Sequence, residues 1–302
     1  MRSERISINY RKNKALYWLI LPIIIYVFVF NYVPMFGLVM AFQDYSITGG
    51  IFGSEWIGFD NFSEFFHGLY FGRTLRNTLL ISGYSLIFSF PAPIILALML
   101  NEVRSARFKK IVQTVSYMPH FISMIVAVSL INEFTSSSGI IATIVASLGG
   151  TPHSYVTDPS SFRTVFVVSE IWQEIGFGSI IYLSALAGVN SDLYEAAEID
   201  GAGHIAQLFH VTLPGIASTI IIMFILRCGA LMTVNFEKIL LMYSPATYET
   251  ADVIQTYVYR IGIIKQKIGY STAVGMFNSV VGTLLIVLAN GLSRKYTEVS
   301  MF

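Results

Sequence analysis

Charge is what this chain has least of. Of its 302 residues only 12% are Asp, Glu, Lys or Arg, about half the roughly 25% usual for a soluble domain, while 54% are hydrophobic. Mean hydropathy is +0.65. That balance excludes an ordinary cytosolic enzyme, and it excludes a disordered chain, which is polar and poor in aromatics. A net charge of +1 provides no field to hold nucleic acid. The single cysteine, Cys228, cannot close an intrachain disulfide, and Cys/His spacing typical of a metal site is missing, so no metal ligand is assigned. Catalytic signatures are lacking too. No Lys is followed by Ser or Thr, which rules out a phosphate-cradling P-loop, and neither HExxH nor GxSxG occurs. No catalytic residue is assigned. What remains is a polytopic membrane protein.

Uncharged runs locate the spans. A helix needs roughly 18–20 apolar residues to cross about 30 Å of hydrocarbon. Ala15 to Gln43, Asn77 to Asn101, Ile111 to Asn132 and Ile268 to Ser293 each meet that length without a charge. Two further spans are interrupted, one by Glu170 and Glu174, the other by Arg227. The expected spans are about 15–41, 74–100, 111–132, 163–187, 214–236 and 269–293, forming one all-α transmembrane domain over 1–302. A closed barrel would need alternating strands, and these runs do not alternate. The first run is too long for the apolar core of a signal peptide and no small-x-small site follows it, so it is read as a retained span. Pro22, Pro34, Pro91, Pro93 and Pro119 are read as kinks in packed helices.

Lys and Arg sort the loops. Arg2, Arg5, Arg11, Lys12 and Lys14 precede the first span; Arg104, Arg107, Lys109 and Lys110 follow the second; Arg294 and Lys295 follow the sixth. All fall on one side, which is expected to be cytoplasmic, as are both termini. Loops 43–72 and 134–161 have no Lys or Arg, but Lys238, Arg260, Lys265 and Lys267 break the pattern in the last external loop. Trp56, Phe59 and Phe62 in the first external loop suit the aromatic belt at headgroup depth.

The most informative segment is the loop 190–213 between the fourth and fifth spans. Leu193 to Asp200 can form two helical turns, Gly201 and Gly203 interrupt them, and a second piece reaches about Phe209 before Pro214 opens the next span. The simplest alternative is an amphipathic connector lying at the interface. That alternative leaves the wording unexplained: Glu195-Ala196-Ala197, three residues, Gly201, nine residues, then Val211-x-Leu213-Pro214, with Asp200 and Ala202 flanking Gly201. This resembles the EAA loop of ABC-importer permeases, with Val in place of the usual Ile. Leu21-Pro22, Tyr32 to Gly37, Trp56 to Phe62, Asn77-Thr78, Phe236-Glu237-Lys238 and the ending Glu298 to Phe302 are similar to permeases for complex carbohydrates related to the maltose transporter.

The resemblance implies a type I ABC importer permease fold and a prokaryotic cytoplasmic-membrane location. It also implies work alongside a second homologous permease, two copies of an ABC ATPase that carry the ATP and Mg, and an extracellular or periplasmic substrate-binding protein. No cofactor is expected on this chain. In that family the loop docks in a groove of the ATPase: Glu195 would make charged or capping contacts, Ala196 and Ala197 would allow close approach, Gly201 would turn the chain, and Phe209 would pack the knob back onto its own spans. A rigid-body switch of this kind asks for no chemistry from the chain itself.

Ionisable groups inside a span are functional candidates because their desolvation must be offset. Glu170, Gln173, Glu174 and Phe177 recur at spacings of three and four and so share one helix face. The corresponding stretch of maltose-type permeases contacts sugar near a tryptophan like Trp172, and Asn235 and Glu237 lie where related permeases also place contacts. The competing reading pairs Glu170 or Glu174 with Arg227 and gives them only a structural role. Asn278 is read as an interhelical hydrogen bond, His120 as structural, and His204 and His210 as surface residues. The expected function is the membrane half-pathway of a sugar importer, with an oligosaccharide as cargo. A peptide or amino-acid conjugate is the alternative cargo, and an ion-coupled carrier using Glu170 and Glu174 the alternative class.

Overall fold

The computed structural model describes residues 14–297 and 300–301. Arg2, Arg5, Arg11, Lys12, Glu298, Val299 and Phe302 lie outside the described residues. Within them, six helical stretches are long and apolar enough to cross a membrane: Lys14–Phe42, Phe71–Glu102, Met124–Ser147, Phe162–Leu186, His204–Gly229 and Ile268–Lys295. The only strands among the described residues are a two-residue ribbon, Gln43–Asp44 against Glu55–Trp56. It draws Phe42 and Trp56 into a stack at 5.6 Å, with Phe59 edge-on to Phe42 at 5.4 Å.

Two spans differ from the expected ranges. The run 111–132 is not one rod: helix Ala106–Tyr117 ends in a 3-10 turn, Met118–Phe121, and a new helix starts at Met124. Pro119 has no N–H to donate, so the α-helical ladder gives way to the 3-10 turn, and the chain becomes extended at Ile122, with ψ 134°. Ser123 then restarts the helix by accepting a hydrogen bond from the Val126 N–H. The apolar stretch in this region lies further along, at Met124–Ser147, stepped at 136–139. The fifth span, expected from Pro214, begins ten residues earlier at His204. Pro214 does not open it; an i→i+5 turn at Leu208–Thr212 precedes the proline and carries the helix past the missing donor.

The second span packs along the fourth, the fifth along the sixth, and the sixth against the far end of the first. Close approach sets the first crossing of the bundle: a Cβ on Gly176 would collide with the carbonyl of Ser116, so the fourth span meets helix Ala106–Tyr117 only because residue 176 has no side chain. Lys14–Tyr32, by contrast, buries no residue.

Of the cations that broke the loop charge pattern, Arg260 is taken up by a buried ion-pair network, whereas Lys265 and Lys267 are exposed. Asp252 is fully buried and receives Arg260 through two bonds of 2.9 and 2.6 Å, Arg73 at 3.0 Å and the Thr256 hydroxyl at 2.9 Å. Burial alone would lower the Arg260 pKa, but Asp252 overrides it and holds the guanidinium above its ordinary value. Asn77 donates to the Asp252 and Glu249 carbonyls at 3.1 Å each and accepts from Arg163 at 2.7 Å. These contacts lock the segment 244–264 onto the second and fourth spans.

Candidate functional site

The fourth span, Phe162–Leu186, carries the first wall of the site. Its 3.6-residue period brings Glu170 and Glu174 to a cavity of about 490 Å³, which the fifth span completes with Arg227 and the following turn with Asn235. Arg227 donates from Nη2 to Glu170 Oε1 at 2.8 Å. The other carboxylate oxygen accepts from Ser85 at 2.5 Å and Ser89 at 3.0 Å, two serines one helical turn apart on the second span. Both oxygens of Glu170 are therefore occupied, and its side chain is only 10% exposed. Glu174 is more open and meets His120 Nδ1 at 3.1 Å.

The four residues expected on one face do not share one environment. Glu170 and Glu174 reach the cavity, Gln173 is buried, and Phe177 stacks flat on the His120 ring at 3.9 Å. Trp172 faces a separate, apolar hollow beside Ile131 and Phe134, so it is not brought together with the carboxylates. Asn235 borders the cavity while its side-chain Oδ1 caps the helix Phe236–Met242, accepting from the Lys238 N–H at 3.2 Å. Glu237 is exposed and is not part of the cavity wall.

Four residues in and around the site carry no sequence motif that marks them. Ser85 and Ser89 were legible only as hydroxyls at i and i+4 in an apolar run. His120 looked like a structural residue but contacts Glu174 across the bundle. Lys238 is wholly buried, with Nζ 5.5 Å over the Phe166 ring and no hydrogen-bond acceptor. It lies outside the spans, and burial pushes its pKa down to about 8 against the opposing pull of Glu170 and Glu174.

The loop 190–213 forms a compact knob. Helix Ser191–Ile199 starts with the Asn190 side chain accepting from the Asp192 N–H at 3.0 Å. It ends in a Schellman turn: the Ala202 N–H reaches the Ala197 carbonyl at 2.8 Å and the Gly201 N–H reaches Glu198 at 3.0 Å. Gly201 sits at φ +78°, a left-handed conformation that explains the glycine. Glu195, Ala196 and Asp200 are exposed, Ala197 and Ala202 half-buried, Leu213 half-buried and Pro214 exposed. Phe209 does not pack the knob onto the spans; it is 60% exposed. Gln207, just before the wide turn at Leu208–Thr212, and Thr212, at its end, are the buried residues instead. Tyr194 makes the attachment, its hydroxyl donating to Thr212 Oγ1 at 3.1 Å, while Gln207 donates to the Ala202 carbonyl at 3.2 Å.

This architecture has known counterparts. The chain is 45% identical over 293 residues to protein LplB of Bacillus subtilis, covering 97% of this chain and 92% of that one. It is 42% identical over 302 residues to the polygalacturonan/rhamnogalacturonan transport system permease protein YteP of the same organism, covering 100% and 94%. Among solved structures, a bacterial ABC transporter involved in import of the acidic polysaccharide alginate superposes with a TM-score of 0.89 at 42% identity, covering 96% of this chain and 98% of that one. The alginate transporter in complex with its alginate pentasaccharide-bound periplasmic protein gives 0.90 at 41%, covering 99% and 100%. Residues 89–298 match the family described as the binding-protein-dependent transport system inner membrane component, and with most of its length inside that match the chain belongs to this family.

Proposed function

We propose that this chain forms half of the translocation pathway of an ATP-driven importer for an oligosaccharide. As a family member it is a multi-pass membrane transport subunit for a sugar. A second homologous permease would complete the cavity, two copies of an ABC ATPase would supply ATP hydrolysis with Mg, and an extracellular or periplasmic binding protein would deliver the cargo. Both termini would lie in the cytoplasm, beside the knob.

One observation carries this reading: the only carboxylates on the fourth span face a cavity that also holds a guanidinium and an amide. Carboxylates and amides pair with sugar hydroxyls, and Arg227, whose side chain stays 36% exposed beside its bond to Glu170, keeps further guanidinium N–H groups for a uronic-acid carboxylate. The relatives that handle polygalacturonan and alginate support an acidic oligosaccharide as cargo. The knob supports the energy source, since the side chains of Glu195, Ala196 and Asp200 are exposed on it, where a partner can meet them. Glu170 is poorly suited to carry protons because an arginine and two hydroxyls occupy both oxygens.

The test is reconstitution. Proteoliposomes holding both permeases and the ATPase should accumulate galacturonide oligomers only with ATP and the binding protein. Accumulation by this chain alone, driven by an ion gradient, would overturn the reading. Glu174→Gln should change substrate-stimulated transport while the complex still assembles.

A further inference from the structure

A second hollow of about 420 Å³ lies beside the first, between the helical segment Ile254–Tyr259 and the sixth span. Thr233 borders both, so the unwound turn 230–235 is the partition between them. Two side-chain carbonyl oxygens in its wall, Gln255 Oε1 and Asn278 Oδ1, are buried without a hydrogen-bond donor. Asn278 is only 6% exposed, so it does not serve as an interhelical bond within this chain at that oxygen. Buried acceptors without donors are uncommon enough in folded proteins that each asks for a partner.

The hydroxyls around them do not provide one. Thr233 Oγ1 donates to the Ala230 carbonyl at 3.1 Å, Ser271 to Ile268 at 2.9 Å and Ser279 to Gly275 at 3.0 Å. Their protons are committed to the backbone, leaving only lone pairs toward the hollow. The amides of Gln255 and Asn278 each also bring an NH2 group that no neighbour in the described residues engages, so the polar lining offers donors as well as acceptors and carries no formal charge, which suits a ligand rich in neutral hydroxyls. An acyl chain would leave both amide oxygens unpaired, and a cation would find no carboxylate. The rings of Phe236 and Tyr259, 5.7 Å apart and tilted by 55°, stand at the same hollow and offer faces for sugar C–H groups.

We propose that this hollow is a second carbohydrate subsite, in which the side-chain amides of Gln255 and Asn278 hydrogen-bond the hydroxyls of a sugar unit while a neighbouring unit occupies the cavity at Glu170, Glu174 and Arg227. The two compartments divide the labour by charge. A uronic-acid carboxylate is placed toward Arg227, and the hydroxyl-bearing part of the chain extends across Thr233. The subsite rests on the sugar-importer reading and sets a preference for oligomers over single sugars.

Cysteine labelling of the complete importer in proteoliposomes tests this. Gln255→Cys and Asn278→Cys should react with a negatively charged, water-soluble thiosulfonate. Val280→Cys, on the exposed flank of the sixth span, should stay unreactive, as should the native chain, whose Cys228 is buried. A saturating ladder of galacturonides, two to five units long and presented with the binding protein, should slow both reactions about tenfold. Separately, Asn278→Leu and Gln255→Leu should raise the apparent KM for the tetramer and pentamer about tenfold, the loss of one hydrogen bond, while leaving the dimer unchanged. No labelling at either position means that protein fills the hollow and overturns the subsite. Labelling without protection by a ladder that the importer does transport also overturns it. If the unsubstituted importer takes up no galacturonide, the acidic-sugar reading fails, and the subsite falls with it.

Discussion

Removing Arg227 tests whether the intramembrane charge pair holds the bundle together. Arg227→Met keeps an unbranched stem without the charge and strands the Glu170 carboxylate, which is 10% exposed. Breaking a buried pair from one side costs about 3–5 kcal/mol in soluble proteins, whereas hydrogen bonds between membrane helices couple by only about 0.6 kcal/mol on average and about 1.7 at most. This pair belongs between those limits. Glu170 keeps the Ser85 and Ser89 hydroxyls, and the Arg227 side chain is 36% open to the cavity. A coupling of about 2 kcal/mol follows, roughly 30-fold. The assay is a double-mutant cycle on the purified complex, reading thermal inactivation half-lives, because membrane assemblies unfold irreversibly and their stability is a rate. Arg227→Met should shorten the half-life most. Glu170→Gln should cost less, since the freed guanidinium faces a wet cavity. The double variant should recover most of the loss. Half-lives for Arg227→Met within threefold of the parent, or single effects that simply multiply in the double variant, would refute the reasoning.

Lys238 predicts an inverted pH dependence. Its folded pKa of about 8 lies below the unfolded value of 10.5, so the unfolded state binds more protons between them and stability must rise with pH over that window. Its destabilising contribution is fully present below pH 8; Lys238→Met should raise the melting temperature of the complex at pH 7 and remove the rise between pH 8 and 10.5. Gly176→Leu should prevent assembly of a stable complex, detectable by size-exclusion chromatography, because the Ser116 backbone cannot move aside as a side chain would. Gly201→Val should cost about 1–2 kcal/mol from the left-handed backbone alone and weaken co-purification of the ATPase, while the sugar-protected labelling of the cavity persists. Glu195→Arg should abolish ATP-dependent uptake with unchanged thermal stability, since that side chain is exposed and makes no hydrogen bond or ion pair among the described residues; full uptake would remove the docking role of the knob.

Local patterns were legible from the sequence wherever one helix or one turn determined the outcome. The Schellman turn at Gly201 follows from a glycine after a run of good helix formers, and the charge-free runs placed the spans to within a few residues in most cases. The third and fifth spans were misread for local reasons of their own. Hydropathy does not register a proline-driven restart at Ser123, nor an i→i+5 turn that lets a helix pass Pro214. Phe209 lies within that turn, and an apolar side chain expected to anchor the knob points outward. The anchoring falls to Tyr194 and Thr212, eighteen positions apart, whose contact no local pattern announces.

By itself, the sequence determined the solvent and the number of candidate crossings and marked out the loop 190–213, because hydrophobic length, charge and the EAA spacing are one-dimensional properties. Only the tertiary structure decided which charges work together. Glu170 and Glu174 share a helix face, yet one is held by Arg227 and two serines while the other is open to His120 and the cavity. Asp252 gathers Arg73 from across the chain, and Gln255 and Asn278 bring two orphaned oxygens to one hollow. Inside a bilayer the free energy of a polar group depends on which partner reaches it, and partners on different helices are assigned only when the helices pack.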